Sequence, residues 1–155
     1  MILDIIIPFR GIMLGKQRLA KYLTQDQRKN LLNYLVQHVI LAANKIALEH
    51  NVYLLTKERA ISFDGKYEVL LDKSMETDLN QALTDALQHV LGEYVLIIMA
   101  DLPYISTELI SEIISIVTSE NKIVICPSQD KGTSILGFPK KYNFPFCFGN
   151  KSSQK

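Results

Sequence analysis

The sequence predicts an α/β domain on a mostly parallel sheet with helices on both faces. Three observations predict it. Strand-like and helix-like segments alternate along the chain, which implies right-handed crossovers between parallel strands. Val95 to Met99 is an unbroken apolar run, followed by Ala100 and Asp101 and stopped by Pro103. A short apolar run bounded by breakers is the pattern of a strand buried on both faces. Ile2 to Pro8 is a third sign: a β-branched run ended by proline, hence a first and central strand.

The remaining elements follow in order. Phe9 to Tyr22 is a loop with Gly11, Gly15, Arg10, Lys16, Arg18 and Lys21 and no acidic residue. Thr24-Gln-Asp-Gln27 is a capping-box pattern that opens a helix running to about Glu49. Its apolar face is Leu31, Leu35, Val39, Ala42 and Ile46 at helical spacing. Val52 to Thr56 reads as a second strand, Asp64-Gly65 as a turn and Tyr67 to Leu71 as a short third strand. Asp72 to Thr77 is a polar loop. Leu79, Ala82, Leu83, Ala86, Leu87, Val90 and Leu91 mark an amphipathic helix from Asp78 that Gly92 ends. A helix from about Thr107 to Thr118, with Ser106 as N-cap, comes after the Val95 to Met99 strand. Lys122 to Cys126 and Thr133 to Phe138 are further strands around a loop at Pro127 to Gly132. The tail from Pro139 is aromatic and does not read as a helix.

Composition narrows the classes of function. The chain has 155 residues, 48% hydrophobic and 21% charged, which suits one domain spanning 1–155. A net charge of +1 gives no field that would draw nucleic acid. Cys126 and Cys147 form no CxxC, and His38, His50 and His89 have no metal-ligand spacing. Asp4 breaks the first apolar run, so there is no signal-peptide pattern, and no run is long enough to span a membrane. The expectation is a cytoplasmic protein with neither nucleic acid nor membrane as partner.

The chemistry is expected where the strands end. Asp101 falls just past the carboxyl end of its strand, the edge at which open α/β sheets bind ligands. It reads either as a turn residue before Pro103 or as a carboxylate for a hard cation such as magnesium. The Phe9–Tyr22 loop follows the first strand and lies at the same edge. It reads either as a solvated basic loop or as a triphosphate cradle, glycines admitting the ligand and Lys and Arg matching its charge. It is neither a Walker loop nor a dinucleotide fingerprint, since GxxxxGK[ST] and GxGxxG are both absent. A basic cradle facing a carboxylate suits magnesium-assisted transfer from a nucleoside triphosphate, which requires no nucleophilic side chain.

Five motifs in order carry a resemblance to a known family. Pro8-x-Arg10 with Gly15-Lys16-Gln17-Arg18-Leu19-Ala20 resembles the PxK…AKSRLA loop of the 2-phospho-L-lactate guanylyltransferases. Asp78-Leu79-Asn80-Gln81-Ala82-Leu83 resembles their GLNxAL, and Ala100-Asp101-Leu102-Pro103 matches ADLP. Gly132-Thr133-Ser134-Ile135-Leu136 resembles GTNxL, and Phe144 to Ser152 resembles FPFxFGxxS.

The resemblance implies a Rossmann-like, nucleotide-diphospho-sugar transferase-like fold, shared with the molybdenum-cofactor guanylyltransferases and here C-terminally short. It implies transfer of GMP from GTP to 2-phospho-L-lactate or phosphoenolpyruvate, with release of pyrophosphate, in coenzyme F-420 biosynthesis. Carried over residue by residue, Pro8, Arg10, Lys16, Arg18, Leu79 and Asn80 would bind the nucleotide. Asp101 would hold Mg2+ and, with Lys16, carry the catalysis, while Thr133, Gly149 and Ser152 would hold the acceptor acid. The alternatives are another nucleotidyltransferase, acting on a sugar phosphate or molybdopterin, and a nucleotide-binding homologue without catalysis.

Several positions depart from the family pattern: Arg10 for lysine, Asp78 for glycine, Ser134 for asparagine and Ser153 for phenylalanine. Family members also continue past the point matching Lys155, with a helix and a strand carrying further acidic residues expected to complete the metal site. The apolar tail from Phe138 to Phe148 is expected to pack on the sheet or on a second copy, so a homodimer is among the expectations.

Overall fold

Ile5 and Ile7 point into one hydrophobic core and Ile6 into another, so the first strand, β1 (Leu3–Pro8), is buried along its whole length. That two-residue alternation is what a central strand covered on both faces requires. The computed structural model describes residues 2–11, 19–74, 78–149 and 151–154. The other strands are β2 (His50–Thr56), β3 (Glu68–Leu71), β4 (Tyr94–Ile98), β5 (Val124–Pro127) and β6 (Thr133–Pro139). The helices are α1 (Gln25–Asn44), α2 (Leu79–Leu87) and α3 (Thr107–Glu120), with a short 3-10 turn at Ser152–Gln154.

The strands form one sheet in the order β3-β2-β1-β4-β6-β5. β1 pairs in parallel with β2 and β4, and β2 with β3. β6 runs antiparallel to both β4 and β5. The sheet is thus mostly parallel, as expected, and mixed through the antiparallel β6 at one side. The chain winds from β1 toward β3 and then returns to β4 on β1's other side. Such a reversal opens a crevice at the carboxyl ends of the two central strands.

Val36, Val39, Ile40 and Ala43 of α1 share one core with Ile110, Ile113, Ile114 and Val117 of α3, against Ile5, Ile7, Leu54, Leu96 and Ile98. Ala82, Leu83 and Ala86 of α2 cover the opposite face with Val90, Phe138 and Phe146. The tail therefore packs on the sheet of its own chain. Phe144, Phe146 and Phe138 meet edge to face, with ring centroids 5.0 to 6.0 Å apart.

The capping box forms as expected: Thr24 Oγ1 accepts from Gln27 N–H, and Thr24 N–H donates to the Gln27 side chain. α1 ends at Asn44 and not near Glu49. There Asn44 brackets the backbone of one distant residue, accepting from Lys66 N–H at 2.6 Å and donating to Lys66 O at 2.9 Å. Ile46 still reaches the core from beyond the helix, so apolar spacing alone overstates its length.

α2 stops at Leu87, short of the expected Leu91. Gln88 and His89 N–H turn back to the Asp85 and Ala86 carbonyls and close it. Gly92 is therefore no helix cap. Its N–H donates to the fully buried Asp4 carboxylate at 2.5 Å, and a Cβ there would come within 2.8 Å of that carboxylate. Smaller corrections complete the elements: β2 starts two residues early, at His50, β5 begins at Val124, beyond the exposed Ile123, and α3 runs two residues further, to Glu120.

Candidate functional site

Five elements end or begin at one edge of the sheet and surround an open cleft of about 580 Å³. That volume suits a small-molecule ligand. Arg10 reaches it from just past β1, Asp78, Leu79 and Asn80 from the start of α2, and Met99 from the end of β4. Ser128, Asp130, Gly132 and Thr133 supply the wall formed by the β5–β6 turn, and Phe148 and Gly149 come from the tail. A smaller pocket of about 40 Å³ adjoins it, lined by Pro8, Phe9, Leu55, Thr56, Lys57, Asp72 and Ala82. Arg10, Asp78 and Leu79 line both spaces.

The local sequence explains these positions. Asp78 is the N-cap of α2, its Oδ1 accepting from Asn80 N–H at 2.8 Å. That cap fixes the first turn of the helix at the cleft. Phe9 N–H donates to Leu55 O at 2.8 Å, carrying the β1–β2 pairing one residue beyond Pro8 and aiming Arg10 outward. Met99 N–H donates to Ser134 O at 3.0 Å, which sets the start of β6 beside the end of β4.

The β5–β6 turn is knotted by its own polar groups. Ser128 N–H donates to Gly132 O and Lys131 N–H to Ser128 O, while Asp130 Oδ1 accepts from Gly132 N–H at 3.2 Å and from Ser128 Oγ. Lys131 sits in the left-handed region with φ 62°, and its carbonyl accepts from both the N–H and the hydroxyl of Ser153. The turn thereby holds the 3-10 turn, and Thr133 and Ser152 meet hydroxyl to hydroxyl at 2.8 Å. Gly149 has φ +134° with no atom within 4 Å of where a Cβ would stand. Only its backbone conformation demands glycine, and that conformation keeps the wall beside it free of a side chain.

Of the residues expected at the site, Arg10, Leu79, Asn80, Thr133 and Gly149 line this one cleft, and Pro8 lines the adjoining pocket. Ser152 reaches it through Thr133 and itself lines an apolar hollow under Phe144 to Phe148. Asp101 stands two residues past Met99 at the same edge, half-buried. Lys16 and Arg18 lie outside the described residues. The sequence reading missed Asp130 and Ser128. Their signal was a polar turn with glycine, Ser128-Gln-Asp-Lys-Gly132, between two strands that end at the ligand edge. It also missed the Lys57–Asp72 pair, 3.8 Å apart, at the small pocket.

The donor set bears on a metal in a definite way. Among the described residues no three of His, Cys, Asp and Glu are grouped to hold an ion. Magnesium, unlike zinc, is commonly held by one or two carboxylates with substrate phosphates and water supplying the rest. Asp101 stands at this edge but lines neither of the two pockets.

The profile of the family described as "Guanylyl transferase CofC like" matches residues 3–154. The chain belongs to this family. It is 30% identical to a phosphoenolpyruvate guanylyltransferase of Chloroflexus aurantiacus, over 97% of this chain and 77% of that protein. It is 33% identical to a 2-phospho-L-lactate guanylyltransferase of Methanocaldococcus infernus, over 86% of this chain and 60% of that one. The chain therefore spans only part of these relatives' length. A nucleotide-diphospho-sugar transferase structure from Desulfovibrio desulfuricans superposes with a TM-score of 0.74 at 18% identity, over 90% of this chain and 64% of that one. The structure of CMP:2-keto-3-deoxy-manno-octonic acid synthetase complexed with CTP gives a TM-score of 0.64 at 13% identity, over 91% and 75% of the two chains. These likenesses bear out the expected fold. None of the described helices is long and apolar enough to cross a membrane.

Proposed function

We propose that the protein transfers GMP from GTP to a small phosphorylated acid, 2-phospho-L-lactate or phosphoenolpyruvate, in coenzyme F-420 biosynthesis. The observation that carries this reading is the convergence at one cleft. Arg10, the start of α2, Thr133 and Gly149 all line it. Family membership and the names of the relatives support the same chemistry.

In the reaction an oxygen of the acceptor's phosphate attacks the α-phosphorus of GTP. A new P–O bond forms as the bond to the β-phosphate breaks, and pyrophosphate leaves with the electron pair. Positioning and charge neutralisation can supply most of the rate for such an in-line displacement. Arg10 offers a planar fork of donors to the phosphates, and the family loop adds Lys16 and Arg18. Leu79 and the small pocket face the nucleoside. The Thr133 and Ser152 hydroxyls and the backbone at Gly149 grip the small acid without adding bulk. Asp101 would hold Mg2+ jointly with the phosphates, and the ion would neutralise their charge and orient them.

Incubation with GTP, Mg2+ and a panel of acceptors, read by mass spectrometry, tests the proposal. A GMP adduct of phosphoenolpyruvate or 2-phospholactate is the expected product. An adduct of a sugar phosphate alone would assign the chain to another branch of the nucleotidyltransferases.

A further inference from the structure

Asn80 lines the cleft, yet its side-chain amide is spent within the protein. Its Oδ1 accepts from Phe148 N–H at 2.6 Å, and its Nδ2 donates to Phe148 O at 3.1 Å. Both backbone polar groups of Phe148 are thus paired by one side chain, 68 residues away in sequence. Residues 142–148 belong to no strand or helix and have no ladder to hold them. The Asn80 amide stands in for the neighbouring strand that this segment lacks, since it carries the same donor and acceptor as a peptide.

The position of that amide is itself fixed. Asn80 N–H is held by the Asp78 cap, and its carbonyl accepts from Thr84 Oγ1 at 2.8 Å. Gly149 follows Phe148 directly, and Ser152 N–H donates to Gly149 O at 3.2 Å before the Ser152 hydroxyl meets Thr133. A continuous chain of bonds therefore runs from the first turn of α2 to the Thr133–Ser152 hydroxyl pair.

We infer that Asn80 is a positioning residue that latches the acceptor wall, formed by Phe148, Gly149 and Ser152, to the helix start facing the nucleotide. This rests on the acceptor reading above. Its function is to hold Gly149 at the correct distance from the GTP side of the cleft, and not to read the base. Asn80→Ala removes both bonds and leaves the cap in place, because Asp78 bonds the backbone N–H of residue 80. Asn80→Asp keeps an acceptor for Phe148 N–H but sets a carboxylate against Phe148 O.

The test measures three quantities in wild type and both variants: GTP affinity by calorimetry, steady-state KM for phosphoenolpyruvate, and hydrogen exchange at the Phe148 amide. Loss of the two bonds is expected to raise the acceptor KM about tenfold. Exchange at Phe148 should accelerate by at least about tenfold, while GTP affinity stays within about twofold. A fall in GTP affinity with the acceptor KM unchanged would show a direct contact with the nucleotide and overturn the inference. Wild-type turnover with unchanged acceptor KM in the variants would overturn the latch alone. Wild-type protein that binds GTP but neither binds nor turns over a phosphorylated acid would overturn the acceptor reading and this inference with it.

Discussion

The hydroxyls of Thr133 and Ser152 lie 2.8 Å apart, one at the first residue of β6 and the other in the terminal 3-10 turn. The pair joins two segments that sequence separates by 19 residues. Either hydroxyl can turn its proton outward while it accepts from the other, so together they offer a donor to a bound phosphate or carboxylate. Thr133→Val and Ser152→Ala should each raise the acceptor KM about five- to thirtyfold and leave GTP affinity unchanged. The double variant should fall short of the product of the two effects, because the hydroxyls act as one unit. Steady-state kinetics with phosphoenolpyruvate checks both points.

Asp101 at the end of β4 is expected to act on the reaction and not on the fold. Asp101→Asn should lower kcat by about a hundredfold or more and weaken its dependence on Mg2+ concentration. The thermal midpoint should stay within a few degrees of wild type. A magnesium titration of initial rates, with a melting curve on the same samples, measures both.

The pairing of Asp4 with Gly92 tests stability away from the cleft. The buried carboxylate is held by Gly92 N–H at 2.5 Å and by Asn51 Nδ2 at 2.8 Å. Gly92→Ala forces a methyl group to within 2.8 Å of that carboxylate. Asp4→Ala leaves the buried Gly92 N–H without its acceptor and takes from Asn51 Nδ2 its partner. Each should cost about 2–3 kcal/mol in urea unfolding.

Tyr53 gives the fold a pH dependence at the alkaline end. Burial, then the neighbouring Asp4 and Glu68 carboxylates, raise its phenol above the ordinary value. The folded chain therefore keeps the proton longer than the unfolded chain does. Stability is fully present below the unfolded value, near pH ~10, and is lost as pH rises from there through the folded value. Tyr53→Phe should flatten that part of the profile, as read from urea midpoints between neutral and strongly alkaline pH.

The sequence carried the parts of this fold that local chemistry decides. Thr24 and Gln27 announce a helix start because a capping box is complete within four residues. Asp101 announces an edge because an apolar run and a proline bracket it. What stayed hidden depends on distant partners. Gly92 resembles a helix stop, yet its role is set by Asp4, 88 residues earlier. Asn44 ends α1 because it brackets Lys66, and apolar periodicity carries no trace of that contact. The site divides in the same way. Arg10, Leu79, Thr133 and Gly149 stand on motifs that name their place. The bonds from Asn80 to Phe148 arise only when the tail folds back over α2.

Pyrophosphate release from GTP, followed with and without phosphoenolpyruvate or 2-phospholactate, tests the central claim most directly. The account predicts release in the presence of Mg2+ and one of these acids, with negligible release when the acid is omitted. Release at the same rate without any acceptor, or none with either acid despite bound GTP, would contradict it.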